Sequence, residues 1–409
     1  MAKAAGNRSI RRLWVGQTTS QVGDWFLRIA LPLYVLARTG SATDTAITFL
    51  AAYLPALVIG PLAGAMVEGW DHRRTMIGAD LIRAGLVSLL FVDPSARTIW
   101  AVYLIAATGA GVSAFFAPAR TALIPSLVEA DGLGRANGTM SIGSELGLLV
   151  GPALGGLTYS LGGLRSAVVV DALSYLWSAG ATWGLPRTPR VPRTSATTVG
   201  STLEALRSGL GVASRDRLLR ALFASNLVLM VGAGTLSVAI VTFARQDLGV
   251  TGFQYGTMLS AQAVGGMAGA WLSRRVSSQL TNKAWVVLTT GLIGLAVAGV
   301  AGSPTWWVVA LVLLAGGAPT TINAVVVTIL VQLTPPPDFR ARTASVYSWT
   351  NSAGAAAGTI LAGPLTAHAG SQVALVVSAA FIGISTLIAA AMMPGPVRKA
   401  RVSAVPAPA

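Results

Sequence analysis

The chain contains no cysteine, only two histidines (His72 and His368) and only 14 acids in 409 residues. Without cysteine there are no disulfides, no thiol nucleophile and no thiolate metal site. Two isolated histidines do not make a metal cluster, so no metal is expected. Charged residues make up 11% of the chain, against about 25% in a typical soluble domain. There is no phosphate-cradling GxxxxGK[ST] loop, so direct ATP drive is not expected, and no nucleophile–base set points to an enzyme. No cofactor is expected.

What fills the chain instead is apolar: 53% of the residues are hydrophobic. One soluble core could not hide that much apolar surface, so the solvent implied is lipid. A spanning helix needs roughly 20 mostly apolar residues. Twelve such segments start near residues 13, 44, 75, 98, 137, 165, 218, 253, 283, 305, 343 and 371. The sequence therefore predicts an all-α membrane protein of twelve transmembrane helices. A polar stretch at 187–217 separates an N-terminal bundle (1–186) from a C-terminal one (218–396), and 397–409 forms a tail. The basic start is retained as part of the first helix rather than cleaved.

The net charge of +15 does not point to nucleic acid, because the arginines sit in short gaps between apolar runs. Placing both termini in the cytoplasm puts 23 of the 29 Lys and Arg on that side. This is the positive-inside pattern of a multi-pass membrane protein. The two bundles are also a repeat. Shifted by 207 residues, TIWAVYLIAATGAG (98–111) lies over TWWVVALVLLAGGA (305–318). The same shift pairs Asp131 with Asp338, Arg135 with Arg342, and Gly147-x-x-x-Gly151 with Gly354-x-x-x-Gly358.

Charges inside spans are rare and mark ion or substrate paths. In the first span Gln17, Gln21, Asp24 and Arg28 recur at spacings of four, three and four, forming one polar stripe. Asp24 lies about 18 Å along the helix from Arg12, near the bilayer centre. Asp24 and Arg28 are one turn apart and can pair. Glu145 is the second deep acid, turned about 200° from Gly147; it faces either the space between the bundles or Arg120. Asp80, Arg83 and Asp171 fall near span ends, where a structural role is expected, with Asp80 and Arg83 bracing the cytoplasmic gate. The second bundle has no deep acid, and its candidate cavity lining is neutral: Asn226, Gln262, Asn323, Tyr347 and Asn351.

Two strings carry a family resemblance. GLLVGPALGG places Gly147, Gly151 and Gly155 on one helix face, where bare glycines allow close helix approach in lipid; Pro152 and Gly156 follow. The string resembles the antiporter motif of drug:proton exporters of the major facilitator superfamily. The second half has Thr359 where that proline would stand, so the proline bend is expected in one half only. GPLAGAMVEGWDHRRTMIGADLIRA resembles that superfamily's cytoplasmic loop signature, with Gly64 at the first glycine, Glu68 at the aspartate, Gly69 at the arginine, Asp71 at the second glycine, and His72 and Arg73 at the basic pair, followed by Arg74. The resemblance covers nearly the whole chain and is strongest to the bacterial multidrug, macrolide and siderophore exporters. It implies two six-helix bundles around a central cavity that opens to either side in turn. It also implies proton-coupled efflux of amphipathic small molecules by a monomer, with Asp24 as main protonation site, Arg28 tuning it and Glu145 second. A dedicated siderophore or metabolite exporter, a proton-coupled importer and a lysophospholipid flippase stand as alternatives.

Overall fold

The computed structural model describes residues 2–67, 69–92, 98–129, 132–186, 199–275, 283–336 and 339–393. Glu68, Asp131 and Asp338, the linker residues 187–198 and the tail from 394 lie outside the described residues. All regular structure among the described residues is helical. The first half holds α1 (Ala2–Thr39), α2 (Ala42–Val67), α3 (His72–Ser88), α4 (Ile99–Leu123) and α5 (Leu133–Trp183). After α6 (Val199–Arg215) come α7 (Arg217–Thr242), α8 (Gly252–Arg275), α9 (Lys283–Ala301), α10 (Trp306–Leu333), α11 (Arg340–Ala369) and α12 (Ser371–Met392).

The 51-residue α5 is two helices joined at Gly163, whose φ of +64° and ψ of −153° suit only glycine. Its limbs, 133–162 and 164–183, bring the first half to six long helical segments, matching the six from α7 to α12. Seven helices are long and apolar enough on their own to cross a membrane, α5 among them. The remaining long helices, α1, α3, α8 and α11, are too polar or too short to qualify by themselves.

The 207-residue repeat is visible in the packing. Gly147 and Gly151 of α5 lie against Gln21 and Trp25 of α1, and Gly354 and Gly358 of α11 lie against Met230 and Val231 of α7. Gly156 meets Gly252 at the start of α8, and its counterpart Gly363 meets Thr43 and Ala46 at the start of α2. Gly163 and Gly370, also 207 apart, both turn the chain with positive φ.

These contacts define how the halves meet. At the end remote from the termini, one apolar cluster spans both: Ile29, Leu33 and Leu36 of α1 pack with Phe243, Met258 and Leu375 of the second half. At the terminal end the cores are separate. Leu13, Met76, Phe116 and Leu123 form one, and Leu219, Leu222, Val326 and Leu330 another. The halves are thus sealed together at the far end and have their own cores at the end where the termini lie.

Candidate functional site

Between the halves lies a cavity of roughly 670 Å³, within the range of small-molecule sites. α1, α3, α4 and the second limb of α5 supply Asp24, Trp25, Arg28, Arg83, Ser113, Asp171 and Tyr175; α2 supplies Thr48, Phe49 and Tyr53. The second half supplies Ser237, Tyr255 and Gln262 with apolar neighbours. The charge in the wall therefore comes from the first half alone, and the second half contributes neutral surface.

The centre of the polar wall is Arg83. α3 begins at Asp71, whose carboxylate accepts the Arg74 N–H at 3.0 Å and caps the helix. That start places Asp80 and Arg83 two to three turns inside the bundle, not at its rim. Arg83 donates through Nη2 to the Asp80 carboxylate, and its Nη1 lies 3.9 Å from Asp24 Oδ1 and 3.4 Å from Ser113 Oγ. Its guanidinium sits 4.3 Å from the Tyr175 ring centroid and 4.8 Å from that of Phe116. A buried cation in lipid demands this kind of pairing.

Tyr175 completes the link. Its hydroxyl donates to Asp24 Oδ1 at 2.6 Å, joining the second limb of α5 to α1. One turn earlier, Asp171 is fully buried and neither of its oxygens has a hydrogen-bond partner among the described residues. The absence of a side chain at Gly23 makes room for it: a Cβ there would lie 3.1 Å from Asp171 Oδ1 and 2.1 Å from Ser174 Oγ. Asp24, its side chain 24% exposed, is the carboxylate of this group that remains open to the cavity.

Several sequence-based expectations change here. Asp80, Arg83 and Asp171 are deep, and Asp24 approaches Arg83 rather than Arg28. Arg28 instead stacks over Trp25 at 5.2 Å. The polar stripe of α1 divides: Gln17 is buried and donates to Ser178 at 3.3 Å, Gln21 packs on Gly147, and only Asp24 and Arg28 line the cavity. Glu145 is exposed, outside the cavity lining, and is not paired with Arg120 among the described residues. Of the second-half candidates Gln262 lines the cavity. Asn323 donates to Thr289 at 2.9 Å inside its own bundle, and Asn226 bonds to Asn351, with the Tyr347 hydroxyl 3.5 Å away. Arg120 is likewise outside the lining. The sequence reading gave Asp171 a structural role and did not bring Tyr175 to the site, although two polar groups four residues apart on an apolar span carried a signal.

The loop signature has a bracing geometry. Arg73 donates to the carbonyls of Thr182 and Trp183 at the end of α5 and stacks 5.6 Å from the Trp183 ring. Arg12 of α1 donates to the neighbouring Gly184 carbonyl at 2.9 Å. Arg74 pairs with Asp71 at 3.4 Å. Gly64 has open space around it.

The glycine motif faces two partners. Gly147, Gly151 and Gly155 bear on α1, while Pro152 and Gly156 bear on α8. A Cβ at Gly156 would lie 2.1 Å from the Gly252 carbonyl, and one at Gly256 would lie 2.1 Å from that of Pro152. The Ala153 N–H, next to the proline, donates to Ser260 Oγ at 3.2 Å. Further along, Ser160 Oγ accepts from the Phe253 N–H at 2.9 Å.

The family model described as "Transmembrane secretion effector" matches residues 5–405. The multidrug efflux pump Tap of Mycolicibacterium fortuitum is 30% identical over 372 residues, 86% of this chain and 88% of that protein. Macrolide efflux protein A of Streptococcus pyogenes is 28% identical over 212 residues, 51% of this chain and 52% of that protein; the chain spans about half the length of the macrolide efflux proteins that it matches. Among solved structures, the nucleoside transporter NupG superposes with a TM-score of 0.80 at 13% identity, over 94% of this chain and 98% of that one. A bacterial homologue of the iron transporter ferroportin does so at 0.71 and 15%, over 94% and 98%. At such identities these two speak for the fold alone. The chain belongs to the transmembrane secretion effectors of the major facilitator superfamily, a family of multi-pass membrane transporters rather than enzymes, and among its relatives are drug-efflux members.

Proposed function

We propose that the protein exports amphipathic small molecules in exchange for protons, rocking its two halves about the central cavity, with both termini in the cytoplasm of a bacterial cell and a single chain as the working unit. The observation that carries this reading is the polar wall: an ionisable carboxyl, Asp24, held by Tyr175 and Arg83 at mid-membrane and open to a cavity of drug-sized volume. Carboxyls at that depth are costly unless used. Asp24 exchanges a proton as water reaches it from alternate sides, and the proton gradient is the energy source. The aromatic and aliphatic surface from both halves accepts the apolar part of the cargo. The efflux activity of the relatives supports the direction.

The test is efflux from proteoliposomes under an imposed pH gradient, with a cationic dye, a neutral macrolide and an amphipathic organic anion as probes. Wild type is expected to move at least one of them faster with the gradient than without. Asp24→Asn is expected to lose the gradient dependence while still binding the probe. Full gradient-driven efflux in that variant would remove Asp24 from the mechanism.

A further inference from the structure

The cavity wall holds two arginines in opposite situations. Arg83 is buried and paired, with Asp80, Asp24 and Ser113 around it. Arg28 is exposed on the cavity surface. Its guanidinium lies 5.2 Å above the Trp25 ring, and no carboxylate of the described residues lies within 4.0 Å of it. The nearest acid along the helix, Asp24, is already engaged by the Tyr175 hydroxyl and by Arg83. Asp171 is fully buried. Buried Asp171 acts on Arg28 only through space, so a guanidinium inside the membrane is left with no carboxylate in contact, and five N–H donors in a planar fork match an oxyanion two bonds at a time. The contact with the indole is through the ring face and uses none of the N–H donors.

We propose that Arg28 is an anion-anchoring residue: the cargo is an amphipathic organic anion whose carboxylate, sulfonate or phosphate docks on Arg28 while its apolar body lies against Phe49, Tyr53 and Tyr255. This rests on the reading of the cavity as the cargo site and specifies the cargo's charge. An uncharged or cationic amphipath leaves Arg28 without a partner and is discriminated against. The same chemistry is offered by the headgroup of an anionic lipid entering from the bilayer, so the two sources are separated in the test.

Binding of 1-naphthylacetate, 1-naphthylacetamide and 1-naphthylethylamine to the purified full chain in zwitterionic-lipid nanodiscs, by calorimetry with empty nanodiscs as blank, is the direct measurement. The acid is expected to bind about tenfold or more tighter than the amide, and the amine most weakly. Arg28→Gln is expected to abolish the advantage of the acid over the amide, with thermal unfolding of the variant reporting its fold; Arg28→Lys keeps part of the preference. Repeating the titration with anionic lipid in the disc separates the sources. Unchanged acid affinity assigns the site to a soluble amphipath, and competition assigns it to a headgroup. An acid that binds no better than its amide, a preference that survives Arg28→Gln, or no binding by any probe overturns the proposal. Acid binding lost in Arg28→Gln without any gradient-driven transport would keep the anion site and sink the coupling reading. Preferred binding of the amine, lost in Asp24→Asn, would do the reverse.

Discussion

At the scale of single residues, the site is organised by what each charge can reach. Asp80 is fully buried, and its charge is compensated by one partner, Arg83. Removing that partner leaves an orphaned carboxylate, so Arg83→Gln is expected to destabilise the protein by about 3–5 kcal/mol. The paired change Asp80→Asn with Arg83→Gln is expected to recover much of that. Thermal unfolding in detergent of the single and double variants checks both statements; equal melting of the two would refute them. Tyr175→Phe removes only the hydrogen bond to Asp24, a bond to a charged group worth about 1.5–3 kcal/mol. It is expected to keep the fold and cargo binding and to slow gradient-driven efflux, read in the same proteoliposomes. Asp24 was legible in the sequence because four-residue spacing reports one helix face. Its partners were not. Tyr175 is 151 positions away, and spacing says nothing about which helix stands opposite. Asp80 and Arg83 were misjudged because hydropathy locates span ends too loosely to separate a rim from a second turn.

Among the elements, α5 links the packing seams to the polar wall. Its first limb lies on α1 by one face and on α8 by another, and its second limb brings Asp171 and Tyr175 to the wall. The glycine period located the bare face but not its neighbours. Repeat logic could have supplied them, since the same contacts recur on α11. Close carbonyl contact at Gly156 and Gly256 means that one added methyl must push α5 and α8 apart. Overpacking of this kind costs about 1–3 kcal/mol, enough to tilt an alternating-access equilibrium by roughly five- to 150-fold. The natural lack of cysteine lets spin labels be placed directly at exposed Leu161 and Phe253. Gly156→Ala is expected to lengthen the distance between these labels and enlarge the separated population. An unchanged distance distribution would show that the contact does not hold the far end shut.

For the molecule as a whole, the sequence was most informative. The division into two six-segment halves, the all-helical class and the repeat follow from hydropathy and self-similarity alone, because lipid permits so few architectures. The central cavity came from the family resemblance. The closed end was out of reach: it depends on which apolar surfaces meet, and both ends are apolar. The arginine distribution adds a prediction. A fluorescent reporter fused after Met393 should light up in intact cells, and an alkaline phosphatase fused there should stay inactive. The opposite result would invert the topology and, with it, the direction of export.

Trp25 sits where two of these structures touch. Its Cβ, Cγ and Cδ1 lie against the backbone of Gly151, where an added Cβ would come within 2.7 Å of them, and its ring carries the guanidinium of Arg28. The indole is therefore a spacer between a packing seam and a recognition group. A substitution at 151, remote from any passenger, would displace the spacer and so retune admission. Shifts in resistance or secretion profile should then arise from changes in this seam as readily as from changes in the chamber it borders.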